Sequence, residues 1–131
     1  MLRVPMPTIE QRLVELIPEA KKLAVPPISN FYVGVVALGT SGNIYYGANY
    51  EFPGEALSFT VHAEQAAVVN AMAHGETGLQ MLAVSAAPCG YCRQFLNELT
   101  TASTLQILVP DRPPTLLTAL LSRAGLRRKD G

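Results

Sequence analysis

The chain has 131 residues and a formal net charge of zero, and charged residues make up 15% of it. This length suits one domain that buries roughly two thirds of its unfolded surface, and the neutral charge argues against non-specific nucleic-acid binding. No apolar segment approaches the roughly 20 residues of a membrane helix and no secretory leader is evident, so we expect a cytoplasmic protein with small or neutral partners and no membrane contact.

Two short helices are the first predicted elements. Thr8, with Gln11 three residues later, is typical of a capping box that opens a helix. Pro18 ends or kinks this helix, and a second short piece runs to about Ala24 before Pro26-Pro27 stops it. The predicted buried face consists of Ile9, Leu13, Leu16 and Ile17.

A β-hairpin is predicted next. Residues 31–38 are apolar and β-branched, residues 39–43 have turn chemistry, and residues 44–48 resume as a strand. A loop over residues 52–59 then leads into a helix from about Val61 to His74. Because this helix is apolar on nearly every side, we expect it to be buried between layers.

Strands and helices alternate through the rest of the chain. The run from Leu79 to Ala87 predicts a strand, and residues 105–109 predict another. Between them lies a helix with one apolar face, and a last helix ends at Gly125. This order predicts an α/β layered sandwich, with helices on the faces of a mixed sheet. The faces of these helices consist of Cys92, Phe95, Leu96 and Leu99, and of Leu116, Leu117, Leu120 and Leu121.

The only two cysteines, Cys89 and Cys92, lie where a strand turns into a helix. Free N–H groups and the helix dipole favour a thiolate there, which suits a metal ligand or a reactive sulfur. In a reducing compartment such a pair is more often metal-binding or catalytic than a structural crosslink. A thiol redox centre is the plain alternative to a metal site.

One of the two histidines can complete a metal site with these cysteines. His62 and His74 lie roughly 18 Å apart along one predicted helix, so they cannot both reach one ion. His62 opens its helix, whereas His74 lies at the C-terminal end and is interpreted as a solvated capping residue. One imidazole and two thiolates leave the fourth zinc position open for water, as a catalytic site requires. Glu64 is the candidate base.

Four motifs occur in order along the chain, and together they indicate a family. They are Pro27-Ile28-Ser29-Asn30-Phe31 with Val33-Gly34, Gly47-Ala48-Asn49-Tyr50-Glu51-Phe52, Val61-His62-Ala63-Glu64-Gln65, and Pro88-Cys89-Gly90-Tyr91-Cys92-Arg93-Gln94. The chain thereby resembles the zinc-dependent cytidine deaminases, in particular the larger, dimeric type of bacteria and plants. The likeness covers most of residues 27–110 and implies a three-layer α/β/α sandwich around a mixed sheet of about five strands.

The resemblance also implies how the chemistry is divided. His62, Cys89 and Cys92 would hold Zn²⁺, and Glu64 would carry a proton from water to N3 of cytosine and later to the departing amine. Members of the larger type usually carry a second, degenerate copy of the domain. Residues 1–131 are instead predicted to form a single catalytic domain without that copy.

Substrate contacts follow from the same resemblance. Asn49 and Glu51 would bind the ribose 3′-hydroxyl, Phe31 would form an aromatic wall beside the base, and the backbone of Ala63 would donate to the base's O2. The plainer interpretations are a core aromatic for Phe31, a turn residue for Asn49 and a solvated loop charge for Glu51. For Glu64, the plainer interpretation is an idle charge at a helix N-terminus.

The implied function is hydrolytic deamination of cytidine and deoxycytidine to uridine and deoxyuridine, with release of ammonia, in pyrimidine salvage. A nucleoside substrate, no nucleic acid and a homo-oligomer, either a dimer or a tetramer, are expected. Two alternatives belong to other classes. One is a deaminase of another nucleobase, a nucleoside analogue or a nucleic acid, and the other is a non-enzymatic zinc domain or a thiol redox protein that uses Cys89 and Cys92.

Overall fold

A mixed five-stranded sheet forms the centre of the computed structural model, which describes residues 6–57 and 59–121. Its strands are β1 (Gly34–Gly39), β2 (Ile44–Ala48), β5 (Leu79–Val84), β6 (Gln106–Leu108) and β7 (Thr115–Leu116). They lie side by side in the order β2-β1-β5-β6-β7. The β5–β6 pair is parallel and the other neighbouring pairs are antiparallel, which confirms the predicted mixed sheet.

Helices cover both faces of this sheet. They are α1 (Ile9–Glu15), α2 (Ile17–Lys21), α3 (Ala63–Ala73) and α4 (Gly90–Leu96). On one face α1 and α2 pack against side chains of β1, β5 and β6, and on the other face α3 and α4 pack against the opposite side chains of β1 and β5. All six residues of β1 are buried, as expected for a strand between two neighbours and two helical layers. The three-layer sandwich is therefore confirmed.

The local signals at the start of the chain correspond to real contacts. The backbone N–H of Thr8 donates to the Gln11 side chain over 2.8 Å, and the Gln11 N–H donates back to the Thr8 hydroxyl over 3.2 Å. This is the predicted capping box of α1. The hairpin of β1 and β2 is also confirmed, and its turn contains Gly42 at a φ of +95°.

Two very short strands were not predicted. Strands β3 (Tyr50–Glu51) and β4 (Thr60–Val61) pair on either side of the predicted loop and form a separate sheet. Strand β7 was missed as well, so Leu116 lies on a strand and is 44% exposed, whereas the prediction placed it on a buried helix face. Residues 117–121 are helical. The predicted helix end at Gly125 lies outside the described residues.

The prediction that α3 is buried on nearly every side is wrong. Val69 is 62% exposed, although it is as apolar as its buried neighbours. The helix is a single outer layer, so only the side that faces the sheet is covered. That side carries Ala63, Ala67, Val68 and Ala71, whose small side chains allow α3 to lie close to β2.

A buried carboxylate connects the hairpin turn to the segment between α3 and β5. Glu76 accepts hydrogen bonds from the hydroxyl and N–H of Ser41, from the Tyr45 hydroxyl at 2.7 Å and from the Thr40 hydroxyl at 3.3 Å. The bond from the Ser41 hydroxyl, followed by that from Tyr45, lowers the pKa of Glu76 below its ordinary value of 4.5, although burial opposes this shift. Glycine at position 39 leaves space for the Glu76 carboxylate, because a Cβ on residue 39 would lie 2.2 Å from the Glu76 carboxyl carbon.

We expect Glu76→Gln to lower the urea midpoint of unfolding at neutral pH, because the amide NH₂ would face hydroxyl and N–H donors. The carboxylate has a lowered pKa in the folded protein. Its stabilisation is therefore complete above pH about 4.5 and is lost as the pH falls through the lower, folded-state pKa. The midpoints of wild type and variant should converge as the pH is lowered below 4.5.

The matched control is Glu19→Gln. Glu19 is exposed and forms an ion pair with Lys22 at 3.1 Å, an interaction that contributes little to stability. Its midpoint should stay close to that of wild type at every pH. An equal fall of the urea midpoint in both variants would contradict the role of Glu76. So would a fall in Glu76→Gln that is the same at every pH.

Candidate active site

Helices α3 and α4 begin beside one another, so the residues that precede them lie close together. His62 precedes α3 with φ −77° and ψ 149°, and Cys89 precedes α4 with φ −69° and ψ 168°. Both residues are therefore extended N-cap residues and not part of the helical spiral. The Gln65 side chain accepts the His62 N–H at 3.1 Å, and Cys89 Sγ accepts the Cys92 N–H at 3.4 Å. These contacts fix the two helix starts.

The three predicted metal ligands lie together. His62 Nδ1 is 3.2 Å from Cys92 Sγ and 3.7 Å from Cys89 Sγ, and the three donor atoms all lie within 4.8 Å of one another. One imidazole nitrogen and two sulfurs are a donor set that suits zinc, and three protein ligands are typical of a catalytic zinc site. His74 is not part of this group, because its Nδ1 contacts the Asn70 carbonyl at 2.7 Å and its ring packs on Tyr45.

The two sulfurs occupy different environments. Both cysteines are free thiols, Cys89 is exposed and Cys92 is completely buried. Burial, followed by the nearby charge of Glu64, raises the pKa of Cys92 far above its ordinary value. Without a metal ion this thiol therefore keeps its proton, and a metal ion that binds must displace it.

Glu64 lies in the first turn of α3 and is 5% exposed. Its burial raises the pKa of the carboxyl group, while its own backbone N–H, the charge of His62 and a hydrogen bond with Cys92 act in the opposite direction. The side chain lines the same cavity as His62 and Cys89. A carboxyl group in this position can take up and return a proton beside the metal-ligand group.

The cavity beside these residues has a volume of about 300 Å³. It is lined by all four predicted substrate contacts, by Glu64 and by two of the three predicted ligands; Cys92 lies behind the wall. The sequence assigned no individual role to the other lining residues, although Ser29, Val33 and Val61 belong to the four motifs. Thr60 and Val61 form β4, whose pairing with β3 places them beside Glu51, and nothing in the local sequence indicates that pairing. The remaining unpredicted lining residues are Ser29, Val33, Leu57, Ala86 and Ala87.

Asn49 and Glu51 both bind the chain segment that forms the cavity's outer wall. Asn49 Oδ1 accepts the Val33 N–H at 3.0 Å, and its Nδ2 donates to the Phe31 carbonyl at 2.8 Å. Glu51 is 5% exposed and accepts hydrogen bonds from residues 28 and 29. The interpretation of Glu51 as a solvated loop charge is therefore wrong. Asn49 does follow the end of β2, as its plainer interpretation stated, and its side chain also bonds this segment. Contact with a ribose stays a prediction.

A close approach between β2 and α3 sets the position of His62. A Cβ on Gly47 would lie 2.3 Å from the Ala67 nitrogen and 2.4 Å from the Ala63 carbonyl oxygen. Real Cβ atoms do not come this close to backbone atoms, so only glycine fits at this crossing. The first turn of α3, and with it His62 and Glu64, lies where it does because residue 47 has no side chain.

We expect Gly47→Ala to weaken zinc binding by roughly tenfold or more, because α3 must move away from β2 and carry His62 with it. Zinc affinity is measured by competition with a chelator, and the thermal midpoint of unfolding is measured in parallel. The control is Gly90→Ala, which also adds a methyl group beside a ligand but meets no heavy atom within 4 Å. Equal zinc affinities of the two variants would contradict this account.

Comparisons with known proteins agree with this site. Residues 7–107 match the family described as the cytidine and deoxycytidylate deaminase zinc-binding region. The chain is 49% identical over 115 residues to a cytidine deaminase of Shewanella loihica, and 54% identical over 96 residues to one of Aeromonas salmonicida. The crystal structure of cytidine deaminase from Mycobacterium tuberculosis superposes with a TM-score of 0.79 at 32% identity, and the match covers 89% of this chain and 97% of that one.

The match covers most of this chain but a smaller part of its relatives. It includes 88% of this chain and 39% of the Shewanella protein, and 73% of this chain and 33% of the Aeromonas protein. The match thus spans between a third and two fifths of the length of these curated relatives. In the part of the chain that the structure describes, no helix is long and apolar enough to cross a membrane.

Proposed function

Because the chain belongs to the cytidine and deoxycytidylate deaminase zinc-binding family, we propose that it hydrolyses cytidine and deoxycytidine to uridine and deoxyuridine, with release of ammonia. One observation carries the proposal. The side chains of His62, Cys89 and Cys92 converge within 4.8 Å beside the buried Glu64, at the wall of a cavity of about 300 Å³.

Each residue of the site has a part in this reaction. His62, Cys89 and Cys92 would hold zinc, which when bound supplies Lewis acidity and makes water a stronger acid. Glu64 takes a proton from the attacking water and delivers it to N3 of the cytosine ring. The water oxygen forms its bond to C4, and Glu64 then takes the proton of the resulting C4 hydroxyl and delivers it to the exocyclic nitrogen as the C4–N bond breaks and the C4 carbonyl forms. Cytidine and water thereby give uridine and ammonia.

The charge of the cavity favours a free nucleoside over a nucleotide. Two carboxyl groups, those of Glu51 and Glu64, line it, and none of its described lining residues is Lys or Arg. A phosphate group in this space would meet like charge and no cationic partner. The family includes deoxycytidylate deaminases, so this feature supports the nucleoside within the family and also argues against a nucleic-acid substrate.

We expect Glu64→Gln to retain one zinc ion per chain and to lower kcat for cytidine by roughly 10²- to 10⁴-fold, because the amide cannot carry the proton. Zinc content is measured by metal analysis, and turnover by the loss of cytidine absorbance and the release of ammonia. Glu55→Gln, at an exposed position in the loop between β3 and β4, is the matched control and should turn over normally.

Two outcomes would contradict the proposed function. Normal turnover by Glu64→Gln would exclude Glu64 as the proton carrier. A wild-type chain that binds no zinc but cycles a disulfide between Cys89 and Cys92 would support the redox alternative.

Cytidine 5′-monophosphate should be a poor substrate. We expect its kcat/KM to be lower than that of cytidine by roughly 100-fold or more, because like charges brought together at close range cost several kcal/mol. Both compounds are assayed with the same enzyme at two salt concentrations, and a gel-shift assay with single-stranded DNA and RNA is run in parallel. Equal turnover of the monophosphate, or tight binding of either nucleic acid, would contradict the nucleoside assignment.

We also propose that the chain works in the cytoplasm as a homo-oligomer, either a dimer or a tetramer. Large aromatic side chains that line the cavity or neighbour its lining residues are exposed: Phe31 lines it, Phe59 precedes the lining residue Thr60, and the Tyr91 ring lies 5.6 Å from that of His62. Exposed apolar groups of this size are typical of surfaces that another chain covers. Light scattering on the active protein gives the size of the assembly, and an active monomer would contradict the oligomer.

A further inference from the structure

The outer wall of the cavity is held by one serine hydroxyl that bonds in two directions. Ser29 Oγ donates to Glu51 Oε2 at 2.6 Å and accepts the backbone N–H of Phe31 at 3.0 Å. A hydroxyl has one proton to donate, and that proton goes to the carboxylate, while a lone pair takes the N–H. Ser29, Phe31 and Glu51 all line the cavity. The hydroxyl therefore connects two groups of the proposed nucleoside site.

A tight turn after Ser29 brings the Phe31 N–H to the serine hydroxyl. Residue 30 lies between Ser29 and Phe31 and has a φ of +55°, the left-handed region that Asn adopts more readily than most residues. The Asn30 N–H bonds the Pro26 carbonyl at 3.0 Å, which closes a tight turn. Because of this turn, the Phe31 N–H points back to the Ser29 hydroxyl, and Phe31 lies among the residues that line the cavity.

The two oxygens of Glu51 are used unequally. Oε1 accepts two backbone N–H groups, those of Ile28 and Ser29, both at 2.9 Å. Among the described residues, Oε2 has a single partner, the Ser29 hydroxyl. Each carboxylate oxygen offers about two lone-pair sites, so Oε1 is saturated and Oε2 retains one acceptor site. The Ser29 hydroxyl thus fixes the direction of the one oxygen that can still accept a hydrogen bond from a ligand.

We propose that Ser29 is a positioning residue for nucleoside binding: its hydroxyl sets the orientation of the Glu51 carboxylate and the position of the Phe31 backbone. This inference rests on the proposed function, since it assigns a further role in the same cavity. Among the described residues, the Ser29 hydroxyl bonds Glu51 and Phe31 and makes no hydrogen bond with Glu64 or the three predicted metal ligands, so it acts on binding and not on proton transfer.

The test compares Ser29→Ala with the conservative variant Ser29→Thr. We expect Ser29→Ala to raise KM for cytidine roughly tenfold while kcat changes less than about threefold, because the ligand must then order a Glu51 carboxylate that has lost one hydrogen bond, at a cost similar to the worth of that bond. Ser29→Thr keeps the hydroxyl and should restore KM. Zinc content should be the same in both proteins. Ser103→Ala, which removes an exposed hydroxyl in the turn after α4, is the matched control and should leave KM and kcat unchanged.

A binding measurement that does not depend on catalysis completes the experiment. Calorimetric titration with uridine should show roughly tenfold weaker binding to Ser29→Ala than to wild type, and wild-type-like binding to Ser29→Thr. If Ser29→Ala does not fold, Ser29→Cys replaces it, because a thiol has a similar size but donates weakly and should also weaken binding.

The outcomes separate this inference from the proposed function. Unchanged KM and unchanged uridine affinity in the Ala or Cys variant would overturn the role of Ser29, and so would a fall in kcat without a change in KM. A wild-type chain that releases no ammonia from cytidine would overturn the proposed function instead, and the uridine titrations would still decide whether Ser29 organises the cavity.

Discussion

The site depends on two helix N-termini that are held side by side by one strand. Strand β1 pairs with β2 on one side and with β5 on the other. Gly47 on β2 sets the distance to α3, and β5 leads directly into the segment before α4. His62 and Cys89 are the N-cap residues of these helices, so their side chains leave the helices at the first turn and meet. The sheet register therefore determines the distance of 3.7 Å between the ligand atoms of His62 and Cys89.

Local sequence patterns correctly predicted the elements that depend on residues close together in the chain. The capping box at Thr8, the β1–β2 hairpin and the two helix starts depend on residues a few positions apart, and all appear within three residues of where the sequence placed them. Strands β4 and β7 have two residues each, too few to show an alternating pattern, and they exist because of partners that are distant in sequence. The burial of Val69 was wrongly predicted for a similar reason. The apolar composition of a helix does not indicate which of its sides packs against another element.

The residues of the site also divide into those that local sequence could predict and those that it could not. Residue types and spacing were sufficient to select His62, Cys89 and Cys92 as a possible metal group, because each lies at or next to a predicted helix start. The predicted substrate contacts came from a family resemblance, and the hydrogen bonds that these residues make within the protein could not be predicted. Glu51 bonds residues 22 and 23 positions earlier in the chain, and Asn49 bonds Val33, 16 positions away. Only the folded chain brings these groups together.

The chemistry of Glu51 explains why a carboxylate suits a position that both orders the 28–31 segment and lines the cavity. An ionised carboxylate only accepts hydrogen bonds, so the N–H groups of Ile28 and Ser29 and the Ser29 hydroxyl can all donate to it. A glutamine would direct its NH₂ group at one of these donors and would have fewer acceptor sites. The hydrogen bond from Ser29 also lowers the pKa of Glu51, which keeps the group ionised at neutral pH. The donors that order the outer wall thus also maintain the charge that disfavours a phosphate in the cavity.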